Sequence, residues 1–204
     1  MAKLIYIDTE TTGLDAETNA LTQVAALVVV DGVEVGRLVL DINPFSYPYP
    51  VGISDKALEI TGKTKEMVRE YPDQRVQLHK FMEFMDGHID FEDKKDRFQI
   101  VGYNTSFDIG FLKQWLKLND KYMSNFFTYK DVDVFALVKH MRLWGVLNGC
   151  KDDKLGTVCE FFNIELDAHD AMNDIVATRE LYKMLMRDLQ LDTVIDVGVM
   201  GSIV

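Results

Sequence analysis

The sequence predicts an α/β fold: a mixed sheet, three antiparallel strands followed by parallel strands, flanked by helices. Three observations predict it. Asp31-Gly32 stands between two apolar runs, a strong hairpin signal. From about residue 98 onward, short apolar runs alternate with amphipathic stretches, which is how parallel strands with helices on the sheet faces are written. The opening run Leu4-Ile5-Tyr6-Ile7 is uninterrupted by polar residues, as a central strand is.

In chain order, residues 3–8 read as a buried strand that Thr11-Thr12-Gly13 breaks. Residues 22–30 form a second strand, and Val33 to Ile42 returns after the Asp-Gly turn as a third. Pro44, Pro48 and Pro50 among aromatics make a surface loop. Residues 54–60 and 64–70 read as short helices around Thr61-Gly62. Over residues 74–89, Leu78, Phe81, Met82, Met85 and Ile89 lie on one helical stripe. A charged loop leads to a strand at 98–101, then to a helix from about Ser106 to Leu118 with Phe107, Phe111, Leu112 and Trp115 inward. A short strand at 129–134, helices to about Trp144, at 155–162 and at 171–189, and an apolar tail complete the chain. This divides it into one domain over residues 1–189 and a C-terminal tail over 190–204.

Composition narrows the function. A chain of 204 residues can bury a core without disulfides, and Cys150 and Cys159, nine apart with no CxxC, suggest neither a disulfide framework nor a zinc site. With no apolar run near membrane-span length and no signal-peptide pattern at Met1-Ala2-Lys3, the expectation is a cytoplasmic protein with no membrane partner. The net charge of −11 argues against coating nucleic acid or anionic membrane by bulk electrostatics. It does not argue against a nuclease, because clustered carboxylates are what a cation site needs.

The informative acids stand in three places. Asp8 and Glu10, two apart on a strand, point to one face. Beside an apolar core, two such carboxylates repel and lose solvation, a cost that a divalent cation removes; a solvated strand end is the plainer alternative. Asp108 falls in the first turn of a helix, where complementing the helix dipole would suffice to explain it. Asp174 shares the i, i+3, i+4 stripe of Ala171, Ile175, Thr178 and Leu181, so it faces the core and needs a partner there. His169 is about 140° away on an ideal helix, which puts it in the preceding loop with Asp170 as N-cap. Four carboxylates and a His converging at one sheet edge suit two hard cations, Mg²⁺ or Mn²⁺, with His169 as general base on a water.

The motifs that carry these residues are Ile7-Asp8-Thr9-Glu10-Thr11-Thr12-Gly13-Leu14, Val101-Gly102-Tyr103-Asn104-Thr105-Ser106-Phe107-Asp108 and His169-Asp170-Ala171-Met172-Asn173-Asp174. In order and spacing they resemble the DnaQ-like, or DEDDh, 3′–5′ exonucleases of ribonuclease H-like fold, over roughly residues 3–188. The resemblance implies metal ligation by Asp8, Glu10, Asp108 and Asp174, with His169 as base. It implies contacts to the terminal nucleotide at Thr11, Thr12, Gly13 and Asn104, with Leu14 wedged against the last base. Asp133 matches a recurring family Asp that reads as structural. Two departures stand out: Gln23 where many relatives carry an acid, and Tyr103 where many carry His.

The reading is therefore a metal-dependent exonuclease releasing nucleoside monophosphates from the 3′ end of single-stranded or frayed DNA, with an exoribonuclease as the alternative. A module that binds nucleic acid without catalysis is the remote one, since none of the five residues is missing. Lys63, Lys65, Arg69 and Lys113 are candidate phosphate contacts, although solvated surface lysines are the plainer reading. A DNA polymerase or a second copy of the chain is a possible partner. The segment Gln190-Leu191-Asp192-Thr193-Val194 faintly resembles clamp-docking peptides, against the plainer reading of a tail packed on its own domain.

Overall fold

The computed structural model describes residues 3–166 and 170–196, with side chains described through Arg187. Among these residues five strands form one sheet: β1 (Lys3–Thr11), β2 (Leu21–Val30), β3 (Val33–Asp41), β4 (Phe98–Gly102) and β5 (Phe127–Asp133). Their order is β3-β2-β1-β4-β5, so the acid-bearing first strand is central. β1–β2 and β2–β3 are antiparallel, and β1–β4 and β4–β5 are parallel. The mixed sheet expected from the sequence is thus the one observed. β2 is buried on both faces almost throughout, which is why it reads as a continuous apolar run rather than an alternating one.

Among the described residues there are seven α-helices: α1 (Asp55–Ile60), α2 (Lys65–Arg69), α3 (Gln74–Asp86), α4 (Thr105–Lys117), α5 (Val134–Leu143), α6 (Leu155–Phe161) and α7 (Ala171–Asp196). They cover both sides of the sheet. Ile5 and Ile7 of β1 pack into one core with Phe81 and Met85 of α3 and Phe111, Leu112 and Trp115 of α4. Tyr6 of β1 packs into the other, with Val134 and Val138 of α5, Val158 of α6 and Ile175 and Leu181 of α7. Alternation along β1 assigns each residue to one core or the other. On the α3–α4 side, the buried Gln74 accepts the indole N–H of Trp115 at 2.9 Å. Its Oε1 also accepts an Asn119 N–H at 3.0 Å, so this oxygen is doubly satisfied.

Boundaries differ from the sequence reading where packing or caps decide them. β1 continues through Thr11, paired with β2 beyond the acids. β5 starts two residues earlier than expected, at Phe127. α3 stops at Asp86 rather than residue 89: Gly87 makes the last i→i−4 bond, to Glu83, and His88 then donates to the Met85 carbonyl, an i→i−3 bond that tightens and closes the last turn. The expected boundary at 189/190 falls inside α7, which runs on to Asp196 as one helix. The side chains of the clamp-like segment lie outside the described residues. No helix among the described residues is long and apolar enough to cross a membrane.

Asp133 is structural, as expected, and its geometry says how. Its Oδ1 accepts the N–H of Phe135 at 3.0 Å, capping α5. The same oxygen accepts the N–H of Asn104 at 2.8 Å, holding that residue in the left-handed region at φ 65° just before α4. Replacing Asp133 by Ala removes the oxygen that accepts both hydrogen bonds and is expected to cost about 1–2 kcal/mol. A thermal melt should show the loss as a lower midpoint, and an unchanged midpoint would contradict this role.

Candidate active site and metal centre

The site forms where β1 passes out of the core. Asp8 and Glu10 continue the Tyr6 face of β1, the face that α7 covers. Asp170 caps α7, its Oδ1 accepting from the N–H groups of Met172 and Asn173, both at 3.2 Å. One turn in, Asp174 meets the two strand acids. One carboxylate oxygen from each of Asp8, Glu10 and Asp174 lies within 4.8 Å of the other two. These are hard oxygen donors gathered in a part-buried place, which suits a divalent cation.

Asp108 arrives from the other side of the sheet. Thr9, between Asp8 and Glu10, points to the α4 face, and its hydroxyl donates to Asp108 Oδ1 at 2.7 Å. Asp108 is 4% exposed. The structure therefore brings three of the four expected carboxylates into one cluster and sets the fourth beside it, fixed by Thr9. Sequence reasoning named no role for Thr9, although alternation alone puts it opposite Asp8 and Glu10.

The electrostatics are those of charge packed against charge. Burial raises the Asp8 carboxyl well above its ordinary value, and Asp108, Asp174, Glu10 and Asp170 push it in the same direction. Burial lifts Glu10 to about 7 against the lowering effect of Lys63, with Asp174 and Asp170 adding to the rise. Burial likewise lifts Asp108 to about 7, opposed by its hydrogen bonds with Thr9. At neutral pH without a cation, this site holds protons that ordinary carboxylates have lost.

The lysine in this field is Lys63, part-buried in the turn between α1 and α2. Burial lowers its ammonium pKa although Glu10, Asp41, Asp170 and Asp8 all face it. The other candidate phosphate contacts are placed differently. Lys65 pairs with Asp55 at 2.6 Å, the Arg69 guanidinium sits 3.9 Å from the centre of the Phe45 ring, and Lys113 lies on α4 away from the cluster.

The turn after β1 is tightly built. Thr11 Oγ1 donates to the Gly13 carbonyl at 2.6 Å, and Thr12 Oγ1 donates to the Gly52 carbonyl at 2.7 Å. A Cβ on Gly13 would meet the Asn19 side chain at 2.5 Å, so a larger residue would displace Asn19 from its hydrogen bonds to Asp15 and Gly52. Leu14 then stands 88% exposed. Gln23, opposite Glu10 in the β1–β2 ladder, donates to Asp41 at 2.8 Å and accepts the Ala171 N–H at 3.3 Å. It ties β2 to the start of α7 where an acid would have added a further negative charge. Tyr103 donates its hydroxyl to the Asp153 carbonyl and so anchors the 151–153 loop. His169 lies outside the described residues.

A five-stranded mixed sheet with helices on both faces and an acidic cluster at the end of its central strand is the arrangement of the DEDDh, ribonuclease H-like exonuclease class. Residues 5–182 match the Exonuclease family (RNase T), and the chain belongs to it. It is similar to the PolC-type DNA polymerase III of Caldanaerobacter subterraneus subsp. tengcongensis, 26% identical over 189 residues. That match covers 92% of this chain and 12% of the polymerase. The PolC-type DNA polymerase III of Thermotoga petrophila is 30% identical over 140 residues, covering 69% of this chain and 9% of that one. The chain thus spans about an eighth or less of the length of these relatives. In fold it is similar to E. coli Exonuclease I in complex with a dT13 oligonucleotide. The TM-score is 0.72 at 18% identity, over 97% of this chain and 43% of that one.

Proposed function

We propose that this chain hydrolyses phosphodiester bonds from the 3′ end of single-stranded or frayed DNA and releases nucleoside 5′-monophosphates. The observation that carries the reading is the convergence of Asp8, Glu10 and Asp174 within 4.8 Å in a member of the Exonuclease family. Asp8, Glu10, Asp108 and Asp174 would hold two Mg²⁺ or Mn²⁺ ions, which supply Lewis-acid stabilisation and an activated water when bound. His169 accepts the proton of the attacking water. Thr9 keeps Asp108 aimed and favours its ionised form.

The turn after β1 receives the terminal nucleotide. The Thr11 and Thr12 hydroxyls are engaged in shaping that turn, so its contacts to the nucleotide come from backbone groups around Gly13. The exposed Leu14 side chain stacks against the last base, and Asn104 contributes a contact to the same nucleotide. Residues 1–189 carry this activity, with 190–204 appended. DNA is favoured because the relatives include DNA polymerases and the solved neighbour binds an oligothymidylate. The same relatives support a DNA polymerase as partner. Two buried free cysteines, Cys150 and Cys159, support a reducing, cytoplasmic setting.

The experiment is a time course on matched 3′-labelled and 5′-labelled single-stranded DNA and RNA oligomers with Mg²⁺, Mn²⁺ or EDTA. Monophosphates released from the 3′ end, faster from DNA than from RNA and absent in EDTA, are expected. Faster release from RNA would replace DNA by RNA as the substrate. No release from either polymer would overturn the enzyme reading.

A further inference from the structure

Away from the acids, a groove of about 530 Å³ opens between α4 and the edge strand β5. Its walls include Lys113, Lys117, Lys121 and Lys130, with Tyr122 and Tyr129. In a chain of net charge −11, four lysines converging on one groove need a reason. None of the four forms an ion pair among the described residues. Asp131 is the acid on the groove wall, and it is engaged by the Thr105 hydroxyl.

The two tyrosines are placed as unusually as the lysines. Tyr122 is 65% exposed and Tyr129 is 91% exposed. Tyr129 and Lys130 owe their position to a bulge. β4 and β5 pair at Phe98–Phe127 and again at Ile100–Asp131, so Thr128, Tyr129 and Lys130 on β5 face the single residue Gln99 on β4. The surplus residues leave the ladder, and Thr128 Oγ1 donates to the Lys130 carbonyl at 3.0 Å to close the kink. Bulges of this kind re-aim side chains. Here Tyr129 emerges with the Lys130 ammonium 5.5 Å from its ring centre.

We propose that this groove binds single-stranded nucleic acid on the 5′ side of the terminal nucleotide, lysines on phosphates and tyrosines under bases. Exposed aromatic faces among unpaired cations are the elements of a sequence-tolerant single-strand track. An acidic peptide would use the lysines and leave the tyrosines unexplained. The direction of the strand rests on the exonuclease reading. α4 carries Asp108 in its first turn, and Lys113 and Lys117 follow on the same helix, the first of them about 7.5 Å further along its axis. A strand with its 3′ end at the acids and its body over α4 meets Lys113, Lys117 and Lys121 in that order.

The test is binding rather than cleavage, so that it is read apart from the proposed activity. Affinity for a fluorescent dT16 oligomer is measured by anisotropy in EDTA over a salt series. The proteins are the wild type, Lys117→Gln/Lys121→Gln, Tyr129→Ala, and a Lys94→Gln/Lys95→Gln pair in the exposed loop before β4. The groove pair should lose affinity about tenfold and flatten the salt dependence by about 1.4 in log–log slope, two phosphate contacts' worth. Tyr129→Ala should lose about fivefold or more with the slope unchanged. The Lys94/Lys95 pair should bind as wild type does. Equal losses in both lysine pairs would reduce the effect to net charge and overturn the proposal. So would unchanged affinity in the groove variants, or a poly-glutamate peptide competing as well as unlabelled dT16. A wild type that binds dT16 through the groove but releases no monophosphate would keep the groove and overturn the exonuclease reading.

Discussion

Asp8→Asn is expected to abolish turnover while making the cation-free protein more stable. Asp8 is the carboxylate on which the others press: Asp108, Asp174, Glu10 and Asp170 all raise its pKa, on top of burial. An amide keeps the shape and removes the charge. Without a cation, the change relieves repulsion and desolvation, on the order of 1–2 kcal/mol. For a chain of this size, that is roughly 2–8 °C in melting temperature. With a cation, the amide is a poor ligand, and the rate should fall on the order of 10³-fold, as when one group that stabilises developing charge is removed. Thermal melts in EDTA and initial rates in Mg²⁺, on the same two proteins, check both halves. A variant that is destabilised as well as inactive would mean that Asp8 holds the fold together rather than the cation.

The second large effect is on stability against pH. Glu10 and Asp108 titrate at about 7 in the folded chain, and Asp8 lies well above its ordinary value. In the unfolded chain such acids titrate near ~4. Between those values, the folded cation-free chain holds more protons than the unfolded one, so raising the pH favours unfolding. The stability these protonated acids contribute is complete below about pH 4 and lost as the pH rises through about 7. The loss between pH 5 and pH 8 should amount to a few kcal/mol, since a tenfold difference in proton affinity between folded and unfolded chain is worth about 1.4 kcal/mol and the acids titrate as a group. In EDTA, the melting temperature should therefore fall from pH 5 to pH 8. Millimolar Mg²⁺ or Mn²⁺ should restore it at pH 8 and do little at pH 5, because cations bind the deprotonated acids. Melts that are level across this range in EDTA would show that the carboxylates are not held protonated.

Both predictions have the same origin. A cluster that binds a cation well is one that folds at a cost without it, and the cost falls on the residues that do the chemistry. The surroundings limit it in identifiable ways. Lys63 offers a positive charge to Glu10, Thr9 donates to Asp108, and Gln23 stands where a further carboxylate would have deepened the repulsion.

Much of this was legible in the residues, because it depends on local periodicity. Alternation along β1 puts Asp8 and Glu10 on one face, and the helical stripe of α7 turns Asp174 toward the core. The Asp-Gly turn specifies the β2–β3 hairpin, and Asp170 announces the helix start it caps. Helix and strand periods are properties of neighbouring residues, so they survive in the sequence. What only the tertiary structure decided depends on contacts across the chain. Asp108 approaches from the opposite side of the sheet, because α4 packs on the Ile5–Ile7 face while α7 packs on the Tyr6 face. Lys63, more than fifty residues from Glu10, enters the acidic field only when the turn between α1 and α2 docks beside β1. The bulge that turns Tyr129 and Lys130 outward exists only as a mismatch between two paired strands, and no single strand's sequence carries it.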